Sequence, residues 1–369
     1  MTFDLAIIGA GPAGCAAAIT AAQSGARVLL FERGRLPRHK VCGEFVSAES
    51  LDLARKLLVD LGRILTANCP SISQARIFID GKVVQASINP PAASITRFEL
   101  DAALWASCQV HGVQTLAETN VQRVDAKGPF AITAGDQIYE AKAVVNAGGR
   151  WSNFTSAATR ARISESVAGK KWIGLKRHFQ ETSSPTSVDL YFFDGGYCGV
   201  QPIAIAGDGQ AGRINACAMV SADIANSLSE VFSQHPELRI RSAAWLPASD
   251  QVTTSPLVFH PPEPLQNSML QVGDAATFVD PFIGDGISLA LRSGALAAES
   301  LITFFKNQCS LKEASDQYAR NYRERFAPVF TASSRLRGLL RCPPAVRKPV
   351  LSVLARTPFL TNQIVRMTR

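Results

Sequence analysis

The opening of the chain admits few folds. Asp4-Leu5-Ala6-Ile7-Ile8 is an apolar strand that runs directly into Gly9-Ala10-Gly11-Pro12-Ala13-Gly14, and an alanine-rich stretch from Cys15 to Ala22 follows. Gly25 breaks that stretch, and Ala26-Arg27-Val28-Leu29-Leu30-Phe31 ends at Glu32. Strand, glycine turn, helix, second strand and terminal carboxylate, in that order, make a βαβ unit suited to a dinucleotide. Gly9 permits the tight turn. Gly11 carries no Cβ, so the backbone can approach a pyrophosphate, and Gly14 lets helix and strand pack closely. The helix start at Pro12 and Ala13 aims unpaired N–H groups and a partial positive charge at the phosphates. Glu32, followed by Arg33, lies where a carboxylate accepts hydrogen bonds from ribose hydroxyls and would repel a 2′-phosphate.

The same glycine spacing recurs at Gly207-Asp208-Gly209-Gln210-Ala211-Gly212, but the alternating run Arg213 to Val220 follows it. That context predicts a hairpin loop rather than a second nucleotide site. A more informative segment is Leu270-Gln271-Val272-Gly273-Asp274, which leads through Pro281 to Gly284-Asp285-Gly286-Ile287. It reads as a strand, a Gly-Asp turn, an irregular loop and a helix reaching about Phe305. Asp274 at the strand end is suited to a polyol chain. Amides at Gly284 and Gly286 are suited to a flat, electron-rich ring.

At 369 residues the chain holds two domains or one large composite. Its 47% hydrophobic and 18% charged content suits a packed α/β enzyme. The start lacks a basic leader region, and no apolar run of about 18 residues is free of charge, so no membrane span is expected. The eight cysteines are scattered without a C-x-x-C pair, and the five histidines stand apart. This pattern gives no metal-ligand spacing and suits reduced thiols in a cytoplasmic protein. From Ser333 to Arg369 there are eight basic residues and no acid, which equals the whole net charge of +8. Leucines and valines interleave those charges, and Pro343-Pro344, Pro349 and Pro358 interrupt them. The segment reads as amphipathic helices with three open roles: a docked helical cap, a contact with a membrane surface, or a contact with an acidic partner such as an acyl carrier protein. No reader motif or aromatic–basic patch points to nucleic acid.

Together with Arg38-His39-Lys40-Val41-Cys42-Gly43-Glu44, the two glycine motifs resemble FAD-dependent oxidoreductases of the geranylgeranyl reductase-like group. That group belongs to the p-hydroxybenzoate hydroxylase-type fold superfamily, with flavin-dependent hydroxylases and halogenases. The resemblance covers most of residues 1–330. It implies an α/β architecture in which a Rossmann-type FAD-binding domain (1–74, 95–165 and 264–330) is interleaved with an antiparallel β-sheet substrate domain (75–94 and 166–263), followed by a helical tail (331–369). Strands are expected at Arg76–Ile79 and Gly81–Val84, Trp172 to Phe179, Val188 to Phe193 and Ile214 to Val220, and a helix at Ala222 to Gln234. Arg97, in Thr96-Arg97-Phe98-Glu99-Leu100-Asp101, resembles the arginine that lies near the flavin in this group. Gly148 belongs to a buried strand and small-residue turn that pass the nucleotide. Gly195-Gly196-Tyr197-Cys198-Gly199-Val200 resembles the substrate-domain motif of the reductases, in which aromatic residues usually follow Gly-Tyr; here Cys198 and Val200 stand in that neighbourhood.

Glycine motifs at opposite ends of the chain imply one long cofactor, FAD, with its adenosine end at Gly9–Glu32 and its flavin end at Asp274–Gly286. A helix starting near Gly286 favours the anionic reduced ring. Cys42 and Gly43 are expected beside the ring. Cys42, Glu44 and Tyr197 are the candidate catalytic residues, with Arg38 and Lys40 as cations able to lower the Cys42 pKa. The expected reaction is hydride transfer between flavin N5 and a hydrophobic, lipid or carrier-bound substrate, with C=C reduction or dehydrogenation. NAD(P)H is the transient electron donor such an enzyme would use. A monooxygenase acting through a flavin C4a-hydroperoxide is the main alternative. A flavin-dependent halogenase ranks lower because the Gly-Trp-x-Trp-x-Ile-Pro signature is absent. The expected location is the cytoplasm, with peripheral membrane contact through the basic tail.

Overall fold

A computed structural model describes residues 2–60, 64–65, 69–126, 128–154, 156–168, 171–182, 186–204, 212–343 and 345–349. The loop at 207–211 and the tail from 350 onward lie outside the described residues. Among those residues the strands form two sheets, of eight and nine strands.

The first sheet grows from the opening βαβ unit. The strand Thr2–Ile8 is apolar and buried, and it lies between parallel neighbours Val28–Phe31 and Gln137–Asn146. Parallel strands covered on both faces become continuous apolar runs, which is why Leu5 to Ile8 lacks alternation. Gln114–Leu116 and Met269–Gln271 extend the parallel core on its two sides. Between the sheet and the C-terminal helices runs Pro12–Gln23, buried along nearly its whole length. Its alanines keep helix propensity high while letting neighbours approach. A Cβ on Gly14 would lie 1.8 Å from Gly9 O, and one on Gly294 would lie 2.0 Å from Ala13 O. These two glycines therefore fix the helix against the turn on one side and against the helix Gly286–Phe305 on the other. Gly286–Phe305 is long and apolar enough to cross a membrane by length and composition alone. Its Ile287, Leu291, Ala295, Ala298 and Leu301 are spent in the core around Pro12–Gln23 instead.

The second sheet pairs Trp172–Gln180, Arg213–Ser221, Gly196–Pro202 and Ser187–Phe193 as antiparallel neighbours. It is not wholly antiparallel, since Ser187–Phe193 lies parallel to Ser71–Ile79. The expected short strands at 76–84 are the tip of a long hairpin, Ser71–Ile79 with Lys82–Ser94, turning at Asp80-Gly81. An unanticipated strand, Phe45–Val46, joins this sheet at its edge and carries the chain from the nucleotide side to the substrate side.

Two helices differ from expectation. The segment Ala222 to Gln234 is helical only over Leu228–Ser233, because Ser227 caps it by accepting a hydrogen bond from Glu230 N. Asn226 folds back to donate to Ala222 O, which makes the preceding residues a turn. At the other end, Leu311–Arg341 is one continuous helix that begins with a capping box at Ser310 and Glu313 and runs through 330–331 without a break.

Candidate active site

A cavity of about 570 Å³ lies between the two sheets. Its nucleotide side is formed by Gly9, Gly11, Pro12, Ala13, Glu32 and Arg33, by Gly148 to Arg150, and by Gly273, Asp274, Pro281, Gly284, Gly286 and Ile287. Its far side is formed by Cys42, Gly43, Glu44, Arg97, Tyr197 and Cys217. Of the residues singled out from sequence, Gly14 stands apart: it is a packing residue beneath the turn rather than a lining residue.

Two helix starts border this space. Pro12–Gln23 begins behind Gly11, and Gly286–Phe305 begins behind Asp285, neither with a side-chain cap. Their first amides keep donors and the positive end of a dipole for a ligand. A Cβ at Gly11 or Gly286 would meet no atom within 4 Å, so bare backbone faces open cavity at both points. Glu32 Oε2 accepts from Ala10 N at 3.0 Å, while Oε1 accepts from Gly34 N at 3.0 Å and Arg38 Nη2 at 2.9 Å. Burial opposes ionisation of Glu32, yet Arg38 and the two amides hold its carboxyl below the ordinary range. Arg150 Nε lies 3.7 Å from Asp274 Oδ2, and its guanidinium covers the Phe278 ring at 4.6 Å.

The loop between the sheets is fixed by charge. Glu44 is wholly buried and has φ +62, a left-handed conformation uncommon outside glycine. Its Oε1 accepts from Arg97 N at 2.9 Å and from Lys176 Nζ, and its Oε2 lies 2.8 Å from His178 Nε2. Desolvation works against the Glu44 carboxylate, but His178 and Lys176 hold its pKa below the ordinary range. Asn215 Nδ2 donates to Cys42 O at 3.0 Å and Gly43 O at 2.9 Å. The strand register explains this convergence. Lys176 pairs with Cys217 and His178 with Asn215, so four polar side chains share the face of the sheet that meets Cys42–Glu44.

The surroundings of Cys42 differ from the expected ones. Arg38 is taken by Glu32, and Lys40 pairs with Asp101 at 2.9 Å. The cation at the Cys42 thiol is Arg97, which also holds Asp101 through two hydrogen bonds of 2.8 and 2.9 Å. Arg97 is buried, yet Asp101 and Cys42 keep its pKa above the ordinary value. The Glu44 N–H donates to Cys42 Sγ at 3.3 Å. Cys217, on the same cavity, is pushed up to about 12 by burial and by Cys42, which leaves it a neutral thiol.

The pyridine nucleotide-disulphide oxidoreductase model matches residues 3–200. The chain belongs to that family. It is an FAD-dependent oxidoreductase, and the geranylgeranyl reductase-like resemblance stands. Digeranylgeranylglycerophospholipid reductase 2 of Methanopyrus kandleri is 25% identical over 350 residues, covering 89% of this chain and 84% of that protein. Menaquinone reductase of Mycolicibacterium smegmatis is 25% identical over 368 residues, covering 92% and 85%. A geranylgeranyl bacteriochlorophyll reductase-like protein from Thermoplasma acidophilum superposes with a TM-score of 0.77 at 20% identity, over 100% of this chain and 95% of that one. The flavin-dependent brominase Bmp2 gives 0.79 at 18% identity, over 100% and 93%. These two likenesses concern the fold.

For a flavoenzyme of this family the donor set fits the cofactor. Backbone at Gly11 and Pro12 suits the pyrophosphate, Glu32 the adenosine ribose, Asp274 the ribityl chain, and the start of Gly286–Phe305 the isoalloxazine edge. The substrate side carries an aromatic cluster that the Gly-Tyr motif did not supply. Tyr197 and Phe278 pack with Trp172, Phe192, Phe259 and Phe282. Those rings come from three separate stretches, so only the fold assembles them. Lys176, His178 and Asn215 were also missed as site residues. Their one sequence signal is period-two placement of polar residues in otherwise apolar strands.

Proposed function

We propose that this flavoenzyme reduces a carbon–carbon double bond in a hydrophobic substrate. Bound FAD would supply the hydride, and NAD(P)H would supply its electrons. The observation that carries the reading is the composition of the far wall: a thiol, Cys42, held between a buried carboxylate and a buried guanidinium, next to an aromatic cluster. Aromatic and apolar side chains exclude water and orient an apolar substrate. Arg97 and the Glu44 amide hold the thiol in place, and Cys42 protonates the substrate carbon. The relatives named as reductases of digeranylgeranylglycerophospholipid and menaquinone support an extended, apolar substrate. A lipid surface or acidic carrier presenting that substrate to the basic C-terminal segment belongs to the same proposal.

The test is anaerobic. The purified enzyme is reduced, and an isoprenoid alkene is added without oxygen. Reoxidation of the flavin with a saturated product supports the reading. Product formed only with oxygen, carrying labelled oxygen, overturns it. Cys42→Ser should slow the protonation-dependent rate by at least about a hundredfold, the low end of a positioned acid's contribution.

A further inference from the structure

We propose that His39, His178 and Glu44 form a proton relay that recharges the Cys42 end of the cavity from solvent. The inference rests on the reductive reading above. Reducing a C=C bond adds H⁻ to one carbon and H⁺ to the other. The electron pair of the broken π bond forms the second C–H bond, and the acid that gives the proton must recover one from water.

The residues run from surface to interior without a gap. His39 is exposed and borders the cavity. Its ring meets that of buried His178 edge-on, at 5.3 Å between centroids and 90° between planes. His178 Nε2 is 2.8 Å from Glu44 Oε2, and the Glu44 N–H reaches Cys42 Sγ at 3.3 Å. Lys176 faces Glu44 from the strand, and Arg97 faces it from the helix start with Asp101 and Lys40 behind. Lys176 and Glu44 cancel, so a proton entering through His178 arrives at a site of no net charge. Burial, Lys176 and His178 keep His39 below the usual imidazole range, so it releases a proton readily near neutrality.

A purely structural role explains less. A buried ion pair is a weak stability device compared with apolar packing. Stability alone also needs no exposed imidazole set edge-on against the buried one.

The test uses the flavin-loaded enzyme labelled with ¹⁵N-histidine and free of substrate. Solvent exchange of the ring proton shared by His178 and Glu44 is measured by NMR in wild type and in His39→Gln. Because His39 is exposed, the variant keeps its fold. Exchange slowed by about tenfold or more, and restored by added imidazole, is the expected result. Unchanged exchange, or slowing that imidazole does not reverse, overturns the relay. Turnover is then measured in the same variant. Slowed exchange with lower, imidazole-rescued turnover supports the relay and the reductive reading together. Slowed, rescued exchange with unchanged turnover upholds the relay and counts against the reductive reading.

Discussion

The two sides of the cavity are built by different means. The nucleotide side is made of backbone: glycines, two uncapped helix starts and a strand-end carboxylate, each set by residues adjacent in sequence. The substrate side is made of side chains that the register of the second sheet brings together, with Lys176 and His178 on one strand and Asn215 and Cys217 on its neighbour. A backbone site tolerates almost no added atoms but is indifferent to charge. A side-chain site tolerates changes of shape but depends on every buried charge keeping its partner.

The largest effect that would sharpen this contrast is on the nucleotide side. Gly14→Val places carbon 1.8 Å or less from where Gly9 O now sits, and the turn cannot yield without displacing Ala147. We expect a loss of more than about 3 kcal/mol, beyond the usual cost of overpacking, and a colourless protein. Gly11→Ala is the control, since its Cβ meets nothing within 4 Å. The melting temperature should hold while FAD affinity falls by tenfold or more, about 1.4 kcal/mol. Thermal melts and flavin absorbance check both. Equal damage from the two variants would mean that the turn is not divided into a packing glycine and a ligand-facing one.

The next effect belongs to the substrate side. Lys176→Met leaves the buried Glu44 carboxylate short of its cation and should cost about 3–5 kcal/mol in denaturant unfolding. Adding Glu44→Gln to it should recover part of that loss, because no uncompensated charge then remains. The pH dependence has a definite sign. The folded-state pKa of Glu44 lies below its ordinary 4.5, so its contribution is present above 4.5 and is lost as pH falls through the folded value. Glu44→Gln should therefore flatten the acid limb of the stability curve below about pH 4.5. An unchanged acid limb would break the comparison, since the site would then not depend on this charge.

These variants also show what could be read from the chain before its fold was known. Gly9 to Glu32 announces itself because strand, turn, helix and carboxylate are contiguous, and a local pattern needs no knowledge of the partner strand. The Gly273–Ile287 run was legible for the same reason. Cys42 and Glu44 were legible as residues but not in their surroundings. Lys40 turned to Asp101 and Arg97 took the thiol, a choice made by three elements packing at once. Lys176 and His178 were invisible because their importance lies in which residues stand opposite. An unanticipated edge strand at Phe45–Val46 had no signal of its own beyond two apolar residues.

A smaller effect tests whether the C-terminal helix belongs to the substrate side. Arg337 reaches Asp280 at 2.8 Å, and its guanidinium covers Phe259 at 4.3 Å. Phe259 stacks on Phe278 at 5.2 Å, and Arg150 covers the far ring. This alternating stack joins Leu311–Arg341 to the cavity wall. Arg337→Ala should cost about 1–3 kcal/mol, and it should raise KM for an apolar substrate more than it lowers kcat, because the ring cluster loosens. A fall in kcat alone would place Arg337 nearer the chemistry than its contacts indicate.

The smallest expected effect concerns Tyr197, which the Gly-Tyr motif offered as a catalytic acid. Burial raises its pKa well above 10, and its ring is packed against Phe192 and Phe282 at 5.4 and 5.9 Å. A hydroxyl so reluctant to ionise serves as part of the wall. Tyr197→Phe should change kcat by less than about tenfold, whereas loss of a working acid–base group costs about a hundredfold or more. Tyr197→Ala should do more harm through the cavity it opens in the aromatic cluster, about 3–5 kcal/mol if it behaves like other aromatic truncations. Stopped-flow reduction and thermal melts separate the two variants. A hundredfold loss in Tyr197→Phe, with the melt unchanged, would move the proton donor from the charged loop to the sheet, and the side-chain wall would then have two acids instead of one.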